Sequence, residues 1–565
     1  MFSLLGLTIW PLTLVQALSQ QTFSYYEDLL DNSTAPFIFN SLSSLLSQWP
    51  NTYHGNGHTI IPGVIDPYTL LYHARNSADL PPSSEWLAFD PEMSFGIFSW
   101  DRPATFLATY RTLRPARIIY FDGMSAALNF KEAGWLDSQE VFMAGRGRLN
   151  ESDKYDIFDE PGRLTKLCKW AKQVNLDGIV RMNSGFEVMW CDFDSPTLQL
   201  VSYLNITPPG HPPPIEQPDE DEFPWSPIGI AAFSEWFRAS AQRGMSPQPH
   251  VHLDYSSFVT FYHPRLRSLA GARGERTMRQ HRIWNDISVV DAQSVRSEVE
   301  EVVQRPGWPA NGSGMNWAAL AQNIVEEWAN RIMQLHEFLG NTSTPQDDTI
   351  PVNTTYTLLT LRRLTYSPLS PFIDTSVSNA SVRDWIFGAS EIFSENHLFP
   401  LFPTTPTNSS MLRRCMYSAT GLLHDPRIDK TPQEALLRMS VETVLERLCT
   451  DYGVLFVDSM EANEEISEPD LMKMIDRWAT RIDALMHWLD WTVWLRCNEA
   501  CSSNSICTMP MWPVNGFDGW DDDDMTPLIW KHQCVDLSPE ALSEPLRYYF
   551  NWTPPQQDFA LDKIL

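Results

Sequence analysis

The sequence predicts an α/β fold: a mainly parallel sheet flanked by helices, then a helix-rich second half and a disulfide-tied C-terminal tail. Three observations predict it. Two segments run helix, tight break, apolar strand; long amphipathic stripes dominate the second half; and four of the eight cysteines crowd between Cys497 and Cys534.

In the first segment Leu164, Leu167, Cys168, Ala171 and Val174 repeat with helical period. Asn175 stands where a C-terminal cap belongs, and Asp177-Gly178 precedes the strand Ile179-Val180-Arg181-Met182. In the second, Thr431-Pro432-Gln433-Glu434 is a capping box with Pro at the first helical position, and Leu437, Val441, Val444 and Leu448 form the buried stripe. Gly453 is read as the stop and Val454-Leu455-Phe456-Val457 as a strand. Short apolar strands fed by amphipathic helices mark layered folds with parallel sheets. A third strand, Ile118-Ile119-Tyr120-Phe121, leads into Asp122-Gly123. Two more stripes predict long helices: Trp317, Leu320, Ile324, Trp328, Ile332, Leu335 and Leu339, stopped by Gly340, and Leu471 to Leu489, entered through Ser467 and Pro469.

At the start, Met1 to Ala17 is an uncharged apolar run ending Val15-Gln16-Ala17, the pattern of a cleaved secretory leader. It is shorter than the ~20 residues that span a bilayer. Nine Asn-x-Ser/Thr sites agree with passage through the secretory pathway: Asn32, Asn150, Asn205, Asn311, Asn341, Asn353, Asn379, Asn408 and Asn551. The expectation is a secreted glycoprotein with no membrane span after cleavage. An even set of cysteines in such a chain implies up to four disulfides. Cys497, Cys501, Cys507 and Cys534 are expected to pair among themselves, and Cys168 with Cys191.

The domain reading is a leader at 1–17, an α/β region at 18–205, a Pro/acidic loop at 206–227 and a continuation of the α/β region with helices at 228–340. A glycosylated linker at 341–353, a helix-rich region with one strand at 354–496 and a Cys-rich tail at 497–565 complete it. Net charge is 41 − 70 = −29, which disfavours nucleic acid as a partner because phosphate needs Lys/Arg surfaces. One basic stretch, Arg265 to Arg282, suits a carboxylate, phosphate or acidic glycan, or is a solvated loop.

In parallel α/β sheets, ligands collect at the carboxyl ends of strands. Asp122, Glu187, Asp192, Asp254 and Asp458 are the candidate catalytic acids, four of them ending or closely following candidate strands. Paired carboxylates cleave glycosidic bonds, and the 22 Trp residues offer sugar-stacking surfaces. The competing role for each acid is an N-cap or an Arg partner. His250, His252 and Asp254 alternate along a short run, so a strand there puts two imidazoles and a carboxylate on one face, a candidate metal set. Asp192-Phe193-Asp194 matches the Asp-x-Asp of sugar-nucleotide transferases, and Asp521 to Asp524 suits calcium or a solvated acidic loop. Serine-elbow, zincin, phosphate-loop and dinucleotide motifs are absent, and the cofactor is left unknown.

Three strings, Tyr120-Phe121-Asp122-Gly123-Met124-Ser125-Ala126-Ala127, Leu176 to Phe193, and Cys507-Thr508-Met509-Pro510-Met511-Trp512-Pro513, resemble a group of fungal secreted or cell-surface glycoproteins. The resemblance implies a fungal extracellular setting and carries no activity, fold or site residue. The functional expectation is a secreted hydrolase acting on glycans or cell-wall material through carboxylates. Its alternatives are a non-catalytic surface or wall glycoprotein that binds carbohydrate or another partner, and a metal-dependent transferase built on Asp192 and Asp194.

Overall fold

The computed structural model describes residues 34–81, 84–96, 104–124, 134–183, 185–208, 235–236, 238–239, 241, 244–271, 281–306, 312–343, 353–376, 380–388, 410–463, 465–497, 499–508 and 532–538. The leader, Asn32, Asn311, Asn379, Asn408, Asn551, the acidic run Asp521–Asp524, most of the 206–227 loop and Arg273, Arg276 and Arg279 lie outside them. The chain forms two units: 1–40, 320–428 and 437–491 make one, and 41–319, 429–436 and 492–565 make the other.

The second of these holds the sheet. Its strands are β1 (Thr59–Ile65), β2 (Leu70–Arg75), β3 (Glu85–Ala88), β4 (Phe106–Thr112), β5 (Ala116–Met124), β6 (Gly178–Met182), β7 (Phe186–Trp190), β8 (Leu198–Asn205), β9 (Val251–Leu253) and β10 (Val259–Thr260). Their order is β10-β1-β5-β6-β7-β3-β2-β4-β8, with β9 also on β1. Among the described strands only β5 and β6 run parallel; the other pairs of the sheet are antiparallel. The expected mainly parallel sheet is therefore corrected to a mostly antiparallel one. The connection that joins the parallel pair β5 and β6 carries the helices Asp137–Ala144 and Glu160–Gln173, while β6 returns as β7 after three residues. So short a connection permits only an antiparallel neighbour.

Helices Asp137–Ala144, Glu160–Gln173 and Val289–Gln304 cover one face of this sheet. Ile60, Ile119, Phe121, Ile179 and Met189 meet Val141, Phe142, Leu167, Ala171, Val295 and Val299 in a fully buried core. Asn175 takes the left-handed conformation (φ 58°) just past the end of the helix Glu160–Gln173, as its cap position required. The Cys168–Cys191 disulfide (Cα–Cα 5.2 Å) ties this helix to the residue after β7.

The first unit is helical, with Thr354–Leu369, Glu468–Leu489 and the greater part of Trp317–Ser343 and Pro432–Glu461. Here the expected strand Val454–Val457 is corrected. The helix Pro432–Glu461 continues through Gly453, because a buried apolar run reads alike as strand or helix, and Leu455, Phe456 and Val457 are buried in it. A Cβ at Gly453 would lie 2.8 Å from Ile386 Cγ2, so the glycine serves close packing and does not end the helix. Ser467 caps the helix Glu468–Leu489 through the Asp470 N–H, as read. A second disulfide, Cys415–Cys449, braces this unit. In the tail, Cys497–Cys507 and Cys501–Cys534 pair as expected and flank the two-stranded ribbon β11 (Ser505–Thr508) and β12 (Gln533–Asp536). Among the described residues no helix is long and apolar enough to cross a membrane.

Candidate functional site

The densest convergence of chemistry-bearing residues lies where the turn His54-Gly55-Asn56-Gly57-His58 enters β1 beside the end of β5. Two glycines let the backbones touch. A Cβ at Gly57 would lie 1.6 Å from the Asp122 carbonyl oxygen, and Gly123 sits at φ +90° with its Cβ direction filled by Gly57. The contact is stitched by side chains. Asp122 Oδ1 accepts the Thr59 N–H at 2.6 Å, Asn51 Oδ1 accepts the Gly123 N–H at 2.8 Å, and Met124 N–H donates to the Gly55 carbonyl at 3.0 Å.

Over this seam sit two imidazoles and a phenol. His58 is 1% exposed and its ring stacks on Tyr262 at 4.3 Å; His281 lies 4.3 Å from His58 and 5.4 Å from Tyr262. His58 Nδ1 is 2.7 Å from the Asn56 carbonyl, which only accepts, so Nδ1 carries the proton and in the neutral ring Nε2 is the basic nitrogen. Asn56 Nδ2 donates to the His281 carbonyl at 3.3 Å, fixing the two segments together. Amide, imidazole, phenol and carboxylate thus meet at one place, with His58, Tyr262 and His281 all buried. The sequence reading found Asp122 here and missed His58, His281 and Tyr262. The repeat His-Gly-Asn-Gly-His before an apolar strand was the available signal; His281 is too distant in sequence to show any.

Nearby, on the helix-covered face, is a buried ionic network. Arg181 Nε donates to Glu187 Oε1 at 2.7 Å and its Nη2 to Glu160 Oε2 at 2.5 Å. Arg163 binds Glu160 and also Glu140 (2.9 Å), and Asn183 Nδ2 donates to Glu187 Oε2 at 3.3 Å. Two guanidiniums thus meet three carboxyls. Burial pushes the Glu187 carboxyl above its usual range, with Arg181 opposing, and does the same to Glu140 against Arg163. Asp137 is equally enclosed: it takes Arg282 Nε and Nη2, both at 2.9 Å, the Tyr155 hydroxyl at 2.8 Å and the Trp284 N–H at 3.0 Å.

The five candidate acids do not share a cleft. Asp122 and Glu187 lie toward one rim, but alternation puts Glu187 on the face of Met189 and Ile179 and Asp122 on the face of Tyr120. Asp192 follows the far end of β7, exposed, in a turn where its Oδ1 accepts the Asp194 N–H at 3.1 Å. Asp254 caps the turn Tyr255–Ser257, holding Ser256 Oγ at 2.5 Å and Ser257 Oγ at 2.8 Å; burial raises its pKa and these hydrogen bonds oppose the rise. Asp458 belongs to the other unit, where it accepts the Trp478 indole N–H at 3.2 Å. Nor do His250, His252 and Asp254 converge. Both histidines are exposed, His252 Nε2 pairs with Asp66 at 2.9 Å, and Asp254 turns to its serines. Among the described residues the one grouping of three potential donor atoms is Cys497, Cys501 and Cys507, whose sulfurs are all in disulfides. Of the basic stretch, Arg265 is bound by Glu298 and Arg282 by Asp137.

A family model described as the YPL277C N-terminal domain matches residues 18–104 and 99–225. The chain is 24% identical over 559 residues to the uncharacterized protein YOR389W of Saccharomyces cerevisiae (strain ATCC 204508 / S288c), covering 85% of this chain and 82% of that protein. It is 33% identical over 240 residues to the uncharacterized protein YPL277C of the same yeast, covering 34% of this chain and 48% of that protein. No solved structure matches. The relatives are thus uncharacterised yeast proteins, in keeping with the fungal part of the resemblance drawn from the sequence.

Proposed function

We propose that this chain is a secretory-pathway glycoprotein that acts outside the cytoplasm by binding a small polar ligand, a carbohydrate above all, where the buried His58–His281–Tyr262 cluster meets the end of β5. The observation that carries the location is the cysteine chemistry: all eight are in disulfides and none is free. Cytosolic thiols are kept reduced, whereas oxidising compartments build such frameworks. The sequons within the described residues, Asn150, Asn205, Asn341 and Asn353, are all exposed, as glycan acceptors must be. Binding is preferred to paired-carboxylate hydrolysis because each candidate acid is held by a cap, a turn, a strand backbone N–H, an arginine or an indole.

The test has two arms. Expression in a yeast host, followed by N-terminal sequencing and enzymatic deglycosylation, should give a chain starting near Leu18 that loses several kilodaltons. An intact Met1 with unchanged mass would remove the secretory assignment. Titration with neutral cell-wall oligosaccharides should show binding that His58→Ala weakens at least tenfold; equal binding by both proteins would remove the rim. A second reading, a carboxylate hydrolase, rests on the desolvated Glu187. Arg181 at 2.7 Å counts against it, and Glu187→Gln retaining any measured glycan hydrolysis would end it.

A further inference from the structure

β8 is the last strand of the sheet path among the described residues, and its outer edge has a chemical peculiarity. Its sequence, Leu198-Gln199-Leu200-Val201-Ser202-Tyr203-Leu204-Asn205, contains no charged residue and no proline. Leu200, Val201 and Leu204 are 40%, 49% and 54% exposed. Proteins ordinarily guard an open edge with charge, proline, bulges or brevity, since a long apolar edge templates pairing with another chain. The opposite side of the sheet uses brevity: β10 has two residues and β9 three. On β8 the one device within the strand is a bulge at Val201, where the register with β4 slips between Thr109↔Ser202 and Tyr110↔Leu200.

The strand ends in a sequon, Asn205-Ile206-Thr207, held in a fixed shape. Asn205 Oδ1 accepts both the Thr207 N–H (3.1 Å) and its hydroxyl (2.6 Å), while Thr207 Oγ1 accepts the Thr105 N–H at 2.9 Å. The backbone donor fixes which amide atom is oxygen. The nitrogen that carries a glycan therefore has no protein partner among the described residues, and the residue is exposed. Two positions back, on the same face by strand alternation, is Tyr203. Its ring stacks on Phe106 with centroids 5.9 Å apart, Phe106 is the cross-strand partner of Asn205, and the Tyr203 hydroxyl is anchored on the Ser77 carbonyl at 3.0 Å. An aromatic platform thus stands beside the attachment nitrogen. Asn150, Asn341 and Asn353 have Arg148, Leu339 and Pro351 at the corresponding position.

We infer that Asn205 carries an N-linked glycan whose first N-acetylglucosamine rests on the Tyr203–Phe106 platform and shields the open edge of β8. The linkage joins the Asn205 amide nitrogen to the sugar's anomeric carbon, with a lipid pyrophosphate as leaving group and the amide proton lost to solvent. This inference rests on the proposed secretory glycosylation.

The test is glycopeptide mass spectrometry of the full chain secreted from a yeast host, with Asn205→Gln and, as control, Asn150→Gln. Occupancy at Asn205, with Asn205→Gln self-associating in sizing chromatography while Asn150→Gln stays as the parent, supports the inference. A double-mutant cycle of Asn205→Gln with Tyr203→Ser should show coupling, a roughly 2- to 12-fold change in the unfolding equilibrium that is absent after enzymatic deglycosylation. A bare Asn205 beside other occupied sequons overturns the inference and leaves the proposed function standing. Bare sequons throughout overturn both. An occupied Asn205 with neither self-association nor coupling overturns the shielding role.

Discussion

Asp122 and Glu187 lie toward the same rim of one sheet, two strands apart, and face opposite sides of it. That relationship separates the two acids that a parallel sheet would have brought together. Asp122 is tied to the backbone of β1, and Glu187 is sunk into an ion network under the helices. Neither is presented to a substrate shared with the other.

The network makes a charge-counting prediction. Removing Arg181 by Arg181→Met strands carboxylates in the core and should cost about 3–5 kcal/mol. Glu187→Gln removes the surplus negative charge and should cost no more than about 1 kcal/mol. Urea unfolding followed by tryptophan fluorescence measures both. Equal losses would mean that the count of two guanidiniums against three carboxyls has no energetic weight.

Glu446, in the helix Pro432–Glu461, is pushed by burial from 4.5 to about 7. Its folded pKa is raised, so its contribution is fully present below about pH 4.5 and lost as pH rises through 7. It amounts to roughly 3 kcal/mol at most. The thermal midpoint should therefore fall between pH 5 and 8, and Glu446→Gln should flatten that slope. An unchanged slope in the variant refutes the assignment.

At the rim, Gly57→Ala places a methyl where the Asp122 carbonyl oxygen already is, 1.6 Å away, and backbone cannot give as a side chain can. The expected result is little or no folded protein. Normal yield and an unchanged melting curve would show that the β1–β5 seam is looser than its geometry.

Cys168→Ala with Cys191→Ala removes a bond of sequence separation 23 and should destabilise by about 3 kcal/mol on the chain-entropy account. Denaturant midpoints of the oxidised parent and the double variant give the number. A loss well under about 1 kcal/mol would mean that the native strands already hold these ends together when unfolded.

The elements legible in the sequence were those with redundant local signals. Thr431 and Glu434 form their reciprocal cap (3.0 and 3.2 Å), Asn175 takes its left-handed turn, and Cys168 finds Cys191. The sheet's direction was not legible from the helix-strand segments, because each such segment fixes one helix and the strand it feeds but not the direction of the neighbour that strand pairs with; β6 and β7 pair antiparallel. Gly453 misled for a related reason: a glycine followed by a short apolar run fits a strand start and a tightly packed buried helix equally well. For the candidate site, Asp122 was visible through the strand before it, but His281 reaches His58 only through tertiary packing, which leaves no periodic trace.

The Cys168–Cys191 bond also closes a covalent ring around the end of one helix, all of β6 and all of β7, with Arg181 and Glu187 inside it. A protease that nicks the turn between the two strands opens the backbone without releasing either one. The severed ends stay threaded through the sulfur link, with the guanidinium and carboxylate still facing each other across the cut. Such a molecule would migrate as one intact chain until a reductant parted it, so a lesion in the middle of the sheet can pass unseen in a non-reducing gel.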